Sequence, residues 1–330
     1  MVKPVVVGLD CGFGFCKGVT DEKEIVFPSV VSSAVQRTFA EEEKQGVLDP
    51  KHLMVTYHEE TFFVGELAMN QGHYPRATLD KSRTRSREME VLFLTSLALS
   101  SPSREATLRV VTGLPVTDFG DREWLTEHFT GVHQISINGV QFKLTLQSVS
   151  VIPQPYGSFL STMFADEKNV DMKLARGTVA VIDVGYLTTD MILVRQGQYI
   201  EKACTSLADG ISSVYRHIGK TLSQRYPGRM EERDVEEIVR TGVIQHMGQV
   251  TQIDRTLIHP EFQAYAKRIA AVADTLWAKE QVGVLLGTGG GILALRSALL
   301  ERWPQFRILQ DAQLGNVRGY LRFGRSKSNS

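Results

Sequence analysis

Two short runs in this chain place an acidic side chain at the same kind of position. Val5-Val6-Val7-Gly8-Leu9 leads into Asp10-Cys11-Gly12-Phe13-Gly14, and Val179-Ala180-Val181-Ile182 leads into Asp183-Val184-Gly185-Tyr186-Leu187-Thr188-Thr189-Asp190. In each, an apolar, β-branched run stops at Asp-x-Gly, and a second apolar stretch follows the turn. A buried strand that ends this way presents a carboxylate and turn N–H groups at one point. Two such points facing each other would hold a polyphosphate and its metal ion. Lys17, on the return strand of the first run, would bring an ammonium to a phosphate as a point charge. In the second run Thr188 and Thr189 offer hydroxyls. Asp183 would face Mg2+ through water, because that ion gives up its hydration shell reluctantly. Asp190 fits two readings, a member of the site or a cap on the turn.

Two further segments add to this pattern. Gly287-Thr288-Gly289-Gly290-Gly291 lies between a buried apolar run and a helical one. It lacks the Gly-Lys-Ser/Thr of a Walker loop and the third glycine of a dinucleotide fingerprint. Four glycines in five residues let a ligand approach the backbone and use a helix N-terminus. Gln154 stands between Pro153 and Pro155 at the end of an apolar strand. The prolines make it a rigid, non-helical position from which an amide could orient an attacking water. The eight histidines show no metal-ligand spacing, and no Gly-x-Ser-x-Gly elbow occurs. The three cysteines, Cys11, Cys16 and Cys204, form neither a disulfide framework nor a zinc site.

The elements that must position these residues fall into two sets. With 330 residues, two domains are expected. Strands are expected at 4–10, 15–20, 24–27, 53–57, 61–65, 108–112 and 144–152, with a hairpin over 132–142 turning at Asn138-Gly139. Helices are expected at 86–100, 122–129 and 158–165. Residues 35–60, with Glu41-Glu42-Glu43, read as loop apart from the short strand. In the second set, strands are expected at 178–183, 190–195, 198–203 and 282–286, and helices at 209–225, 231–241, 261–280 and 292–303. The tail from Arg325 to Ser330 reads as a frayed end. Lys plus Arg and Asp plus Glu number 37 each, so bulk charge does not favour nucleic acid. No apolar run approaches the ~20 residues of a membrane span. With no signal peptide visible, a reducing cytoplasm is the expected location, with no membrane attachment.

The motifs, in this order, resemble those of the actin, sugar kinase and heat-shock chaperone ATPase superfamily. Asp10–Lys17 resembles its first phosphate loop, Asp183–Asp190 its second, and Gly287–Gly291 its adenosine motif. The details are most similar to prokaryotic actin-like proteins of the plasmid-segregating ParM/StbA type and to archaeal actin-like proteins. Supporting stretches are Phe63–Ala68, Gly113-Leu114-Pro115, Pro153–Gly157 and Leu314–Tyr320.

The resemblance implies an α/β fold of two related, ribonuclease H-like domains around a nucleotide cleft. One domain would cover 1–165 with 312–330 returning to it, the other 166–311. It implies binding of ATP or GTP with Mg2+, self-association into filaments, hydrolysis that loosens them, and a DNA-bound adaptor rather than direct DNA binding. By position, Asp10 and Asp183 would hold hydrated Mg2+ and Gln154 the water. Gly12, Phe13, Gly14, Lys17, Gly185, Thr188 and Thr189 would meet phosphates. Asp209 and Gly210 would lie at the ribose, and Gly287, Thr288, Gly289 and Gly290 at the nucleoside. Phe13 departs from the family, where Ser, Thr or Asn is common. Its side chain cannot donate to a γ-phosphate, although its backbone N–H can. Two rival functions share the fold. A metabolite kinase would need a carboxylate base where Gln154 stands. A non-polymerising, nucleotide-switched scaffold would resemble the membrane-associated actin relatives, which often use an amphipathic tail, whereas Arg325–Ser330 has no apolar face.

Overall fold

A computed structural model of the chain describes residues 3–34, 46–72, 76–77, 84–165, 170–226 and 230–328. Glu41-Glu42-Glu43 and the last two tail residues lie outside them. Internal packing divides the chain into two compact units, Met1–Asp171 with Leu314–Ser330, and Met172–Gln313.

The first unit contains β1 (Val5–Cys11), β2 (Phe15–Val19), β3 (Glu24–Pro28), β4 (Val30–Ser33), β5 (Leu53–Tyr57), β6 (Glu60–Val64), α1 (Glu66–Gln71), β7 (Arg76–Ala77), α2 (Arg87–Ser100), β8 (Glu105–Leu114), α3 (Arg122–Phe129), β9 (Gly131–Ile137), β10 (Val140–Pro153) and α4 (Gln154–Met163). Among the described residues ten strands form one sheet, in the order β3-β2-β1-β8-β10-β9-β5-β6-β4-β7. β1 is antiparallel to β2 and parallel to β8, so it is central and covered on both faces. One face packs on α2, an almost wholly buried helix whose first turn is capped by the Ser86 hydroxyl accepting from the Met89 N–H at 3.2 Å. The other face meets the C-terminal helix, Gly315–Ser328.

That helix sits close because glycines remove the obstacles. A methyl at Gly319 would overlap the Gly157 carbonyl of α4. One at Gly8 of β1 would overlap the Val317 carbonyl and stand 2.8 Å from the Leu321 nitrogen. The helix runs through Arg325, which pairs with Asp21, so this part of the tail is ordered helix and not a frayed end.

The second unit contains α5 (Met172–Arg176), β11 (Thr178–Val184), β12 (Thr189–Arg195), β13 (Gln198–Tyr199), β14 (Thr205–Leu207), α6 (Ile211–Ser223), α7 (Glu232–Thr241), β15 (Val243–His246), β16 (Gln249–Gln252), α8 (His259–Leu276), β17 (Val284–Thr288), α9 (Arg296–Arg302) and β18 (Arg307–Ile308). Its sheet runs β13-β12-β11-β17-β18, with β14 on β12. The first five strands of the other sheet repeat this plan. Each has a three-strand antiparallel meander, then two parallel strands. Among the described residues, no helix is long and apolar enough to cross a membrane.

Several expectations are corrected. The strand expected at 144–152 is the continuation of the hairpin's return strand, which absorbs a bulge between Leu146 and Ser148. α4 begins at Gln154, four residues earlier than expected, because Pro155 sits in its first turn, where its missing N–H has no helical partner to lose. The strand expected at 198–203 breaks after Tyr199 into a 3-10 turn before β14. Residues 292–295 are turns, and α9 starts only at Arg296. The β15–β16 hairpin, turning at Met247-Gly248 with positive φ at both, was not expected. At Asn138-Gly139 the expected turn is present, with φ of 49° and 79°.

Because the C-terminal helix has no room for a side chain at 319, Gly319→Ala should lower unfolding free energy by about 2 kcal/mol or more. Gly120→Ala, where a methyl meets nothing, should stay within about 0.5 kcal/mol. Urea denaturation measures both, and equal midpoints would contradict this packing account.

Candidate functional site

In the first unit the chemistry gathers at the end of β1. Asp10 and Lys17 are direct cross-strand partners in the β1–β2 pair, and Lys17 Nζ donates to Asp10 Oδ2 at 2.9 Å. Gln154 Nε2 donates to the other oxygen, Asp10 Oδ1, at 3.2 Å. A carboxylate only accepts, so the contact uses the amide NH2 and directs the Gln154 carbonyl oxygen elsewhere. Asp10 is 3% exposed. A charge so buried requires this pairing.

Gln154 is in turn held from behind. The Tyr320 hydroxyl, on the C-terminal helix, donates to the Gln154 backbone carbonyl at 3.3 Å. The ring fits because residue 113 at the end of β8 is glycine; a methyl there would stand 2.6 Å from Tyr320 Cζ and 3.0 Å from Gln154 Cγ. Gly12, Phe13 and Gly14 form the turn between β1 and β2.

In the second unit three separated segments meet. Asp183 and Asp190 are cross-strand partners, the same register that Asp10 and Lys17 occupy. The turn between them is closed by the Gly185 N–H donating to the Thr188 carbonyl at 2.9 Å, while Thr188 Oγ1 donates to Asp190 Oδ2 at 3.1 Å. Asp190 therefore caps the turn, as one of its two readings held. The start of α6 grips the same turn: the Ile211 and Ser212 N–H groups donate to the Gly185 and Tyr186 carbonyls at 3.1 and 3.0 Å. Gly210 is glycine for a steric reason, since a methyl would overlap the Tyr186 carbonyl and lie 2.7 Å from that of Gly185. The glycine run packs on the same strand end. The Gly291 N–H donates to the Val184 carbonyl at 2.9 Å, and Gly289, with φ of 89°, leaves no room for a methyl beside Asp183 and Val184.

Not every expected residue faces this point. Thr189 is fully buried on the opposite side of β12 from Asp190, where its hydroxyl donates to Tyr265 Oη at 2.8 Å; Tyr265 passes its own proton to the Asp209 carbonyl at 2.8 Å. It is a core support and not a phosphate-facing hydroxyl. The Asp209 carboxylate pairs with Arg268. Gly287 and Thr288 also turn inward. A methyl at Gly287 would stand 2.5 Å from Phe306 Cζ, and Thr288 Oγ1 donates to the Ala312 carbonyl at 3.0 Å. Gly290 is the open member of that run: it is exposed, and a methyl there meets nothing.

Tyr320 and Tyr265 carry no signal in the sequence as supports, since each touches residues far away along the chain. Among the described residues, no three carboxylate, imidazole or thiol groups converge as a metal-ion cage. Asp10 is a buried carboxylate near one strand end, and Asp183 is another with the buried Asp190 across from it. Such donors suit Mg2+, which keeps several waters and takes only one or two carboxylates.

Tyr265→Phe leaves the buried Thr189 hydroxyl without its acceptor and should cost about 1–3 kcal/mol. Burial holds the Tyr265 phenol up at about 12 in the fold, against about 10 in the unfolded chain. The unfolded chain therefore sheds this proton first, and stability falls as pH rises from about 10 to 12, by up to about 1.4 kcal/mol per pH unit. Denaturation at a series of alkaline pH values should show a shallower fall for the Phe variant; identical slopes would contradict the assignment.

The model of the N-terminal domain of actin-like proteins matches residues 8–157, and that of the C-terminal domain of archaeal MreB-like actin homologues matches residues 181–301. No curated protein matches at a significant level. Among solved structures, the fold is similar to that of ParM from a 15-stranded filament of Clostridium botulinum, at 23% identity over 98% of this chain and 100% of that one, with a TM-score of 0.81. The archaeal actin homologue Ta0583 in complex with ADP is similar at 19% identity, 99% and 100% coverage and a TM-score of 0.79. Apo pSK41 ParM is similar at 19% identity, 99% coverage of both chains and a TM-score of 0.75. At these identities the structural likeness establishes an actin-like fold of two α/β domains. With an actin-like N-terminal domain followed by an archaeal-type C-terminal one, the chain belongs to the prokaryotic actin-like proteins.

Proposed function

We propose that this protein is a nucleoside triphosphatase that binds ATP or GTP with Mg2+, polymerises in the triphosphate state, and disassembles as the nucleotide is hydrolysed. One observation carries the reading: both units end their first strand in a buried carboxylate opposite a polar cross-strand partner, Asp10 with Lys17 and Asp183 with Asp190. In this reading each unit contributes one phosphate-binding turn, Gly12–Gly14 and Gly185–Thr188, to a single nucleotide. Gly290 offers the nucleoside a bare backbone, and Asp209 and Gly210 lie beside the second turn.

Asp10 and Asp183 would hold the water shell of Mg2+, which neutralises charge on the phosphates when bound. Lys17 exchanges its bond to Asp10 for a phosphate oxygen. Gln154, with its NH2 on Asp10, uses its carbonyl oxygen to orient a water in line with the terminal phosphorus. The water oxygen bonds to phosphorus as the bridging P–O bond breaks, the bridging oxygen leaves with the nucleoside diphosphate, the water's proton goes to the released phosphate, and positioning supplies most of the rate. In this reading the protein self-associates and serves DNA segregation through a DNA-bound adaptor; the similar ParM from C. botulinum, solved as a filament, supports the self-association. A cytoplasmic location accords with that role.

Light scattering and pelleting with Mg-ATP, Mg-GTP, Mg-ADP and no nucleotide, alongside phosphate release, test the proposal. Assembly should require triphosphate and decay as phosphate appears. Binding without assembly over a concentration series would overturn the filament reading. Asp183→Ala should abolish phosphate release, and Gln154→Ala should reduce it about a hundredfold with affinity little changed. Gly290→Ala, which the fold accommodates, should weaken nucleotide binding about tenfold or more without altering stability. Wild-type affinity in that variant would remove the nucleoside from this position.

A further inference from the structure

Ser29 connects β3 to β4 and was not among the residues expected to act, yet it holds the turn at Gly12–Gly14 from both ends. Its hydroxyl donates to the Gly12 carbonyl at 2.6 Å, and its backbone N–H donates to the Gly14 carbonyl at 3.0 Å. With its proton committed to Gly12, Ser29 Oγ accepts from the Cys16 thiol at 3.2 Å. Ser29 and Cys16 are both fully buried, so water does not compete for these bonds.

The consequence follows from peptide planarity. The carbonyl of Gly12 and the N–H of Phe13 belong to one trans peptide unit and point in opposite directions. By drawing the carbonyl toward itself, Ser29 turns the Phe13 N–H the other way. Its hold on the Gly14 carbonyl fixes the Gly14–Phe15 peptide, two units along, and so closes the turn from the other side. Phe13 has no side-chain donor, so this N–H is the one donor that position 13 can offer an anion.

We infer that Ser29 is the positioning residue of the first phosphate-binding turn: it aims the Phe13 N–H at a nucleotide phosphate and so supplies through the backbone the donor that the side chain at position 13 lacks. This rests on the nucleotide reading above. Ser29 touches no phosphate itself. Cys16 holds the Ser29 oxygen in place.

The test is equilibrium binding of Mg-ATP and Mg-ADP to the full chain, with wild type, Ser29→Ala and Ser29→Cys compared. Ser29→Ala should weaken both nucleotides by about tenfold to a hundredfold. Ser29→Cys, close in size and a weaker donor, should fall between. Ser29→Ala leaves the buried Gly12 carbonyl and Cys16 thiol without this partner and should also melt lower without nucleotide, so binding is measured well below that melting point and the Phe13 amide proton is followed in 15N-labelled protein, where Mg-ATP should shift it in the wild type and much less in Ser29→Ala. Wild-type affinity in Ser29→Ala would overturn the inference, and so would an equal amide shift in both proteins. Failure of the wild type to bind either nucleotide would instead overturn the nucleotide reading itself. Should Ser29→Ala not fold, the 15N-resolved amide of Phe13 in the wild type decides: its proton should shift downfield on adding Mg-ATP, and an unmoved resonance would refute the role.

Discussion

A carboxylate buried at the end of a strand is costly unless its charge is met, and the first unit is arranged around that requirement at Asp10. Lys17 takes one oxygen and Gln154 the other. Losing one partner of such a buried pair typically costs about 3–5 kcal/mol. The position of each partner therefore depends on Asp10, and each arrives from a different element. β2 brings Lys17 by hairpin register, and α4 brings Gln154 from the end of β10. The C-terminal helix then fixes α4 through Gly157 and Gly319 and reaches Gln154 through Tyr320. Geometry at one carboxylate thus ties the beginning, middle and end of the chain together.

The second unit holds its turn with other chemistry. No lysine stands opposite Asp183; its cross-strand partner is a second acid, Asp190, which takes the Thr188 hydroxyl. Backbone does more of the work here. Two N–H groups at the start of α6 and one from Gly291 grip the turn and the strand end before it. The two units thus share a strand plan but differ in how they stiffen their turns, through side chains in one and helix ends and glycines in the other.

Much of this was readable from residue types. The β-branched runs before Asp10 and Asp183 belong to buried central strands, and Asn138-Gly139 turns a hairpin, because each acts over a few residues of chain. What escaped reading depends on distant partners. Pro153 and Pro155 look like breaks, but a proline in the first helical turn loses no hydrogen bond, so α4 starts at Gln154. The glycine run looks uniformly ligand-facing, yet only Gly290 is open, because strand alternation and packing against Phe306 turn Gly287 inward. Thr189 resembles Thr188 in sequence, but period-two alternation sends it to Tyr265, on another face.

The central claim is that the Asp10 and Asp183 turns serve one nucleotide. Titration calorimetry with Mg-ATP on the wild type, Asp10→Ala and Asp183→Ala tests it most directly. The account predicts one site per chain, with affinity greatly reduced by either substitution alone. Full affinity in either variant would show that its carboxylate takes no part, and the shared site would have to be abandoned.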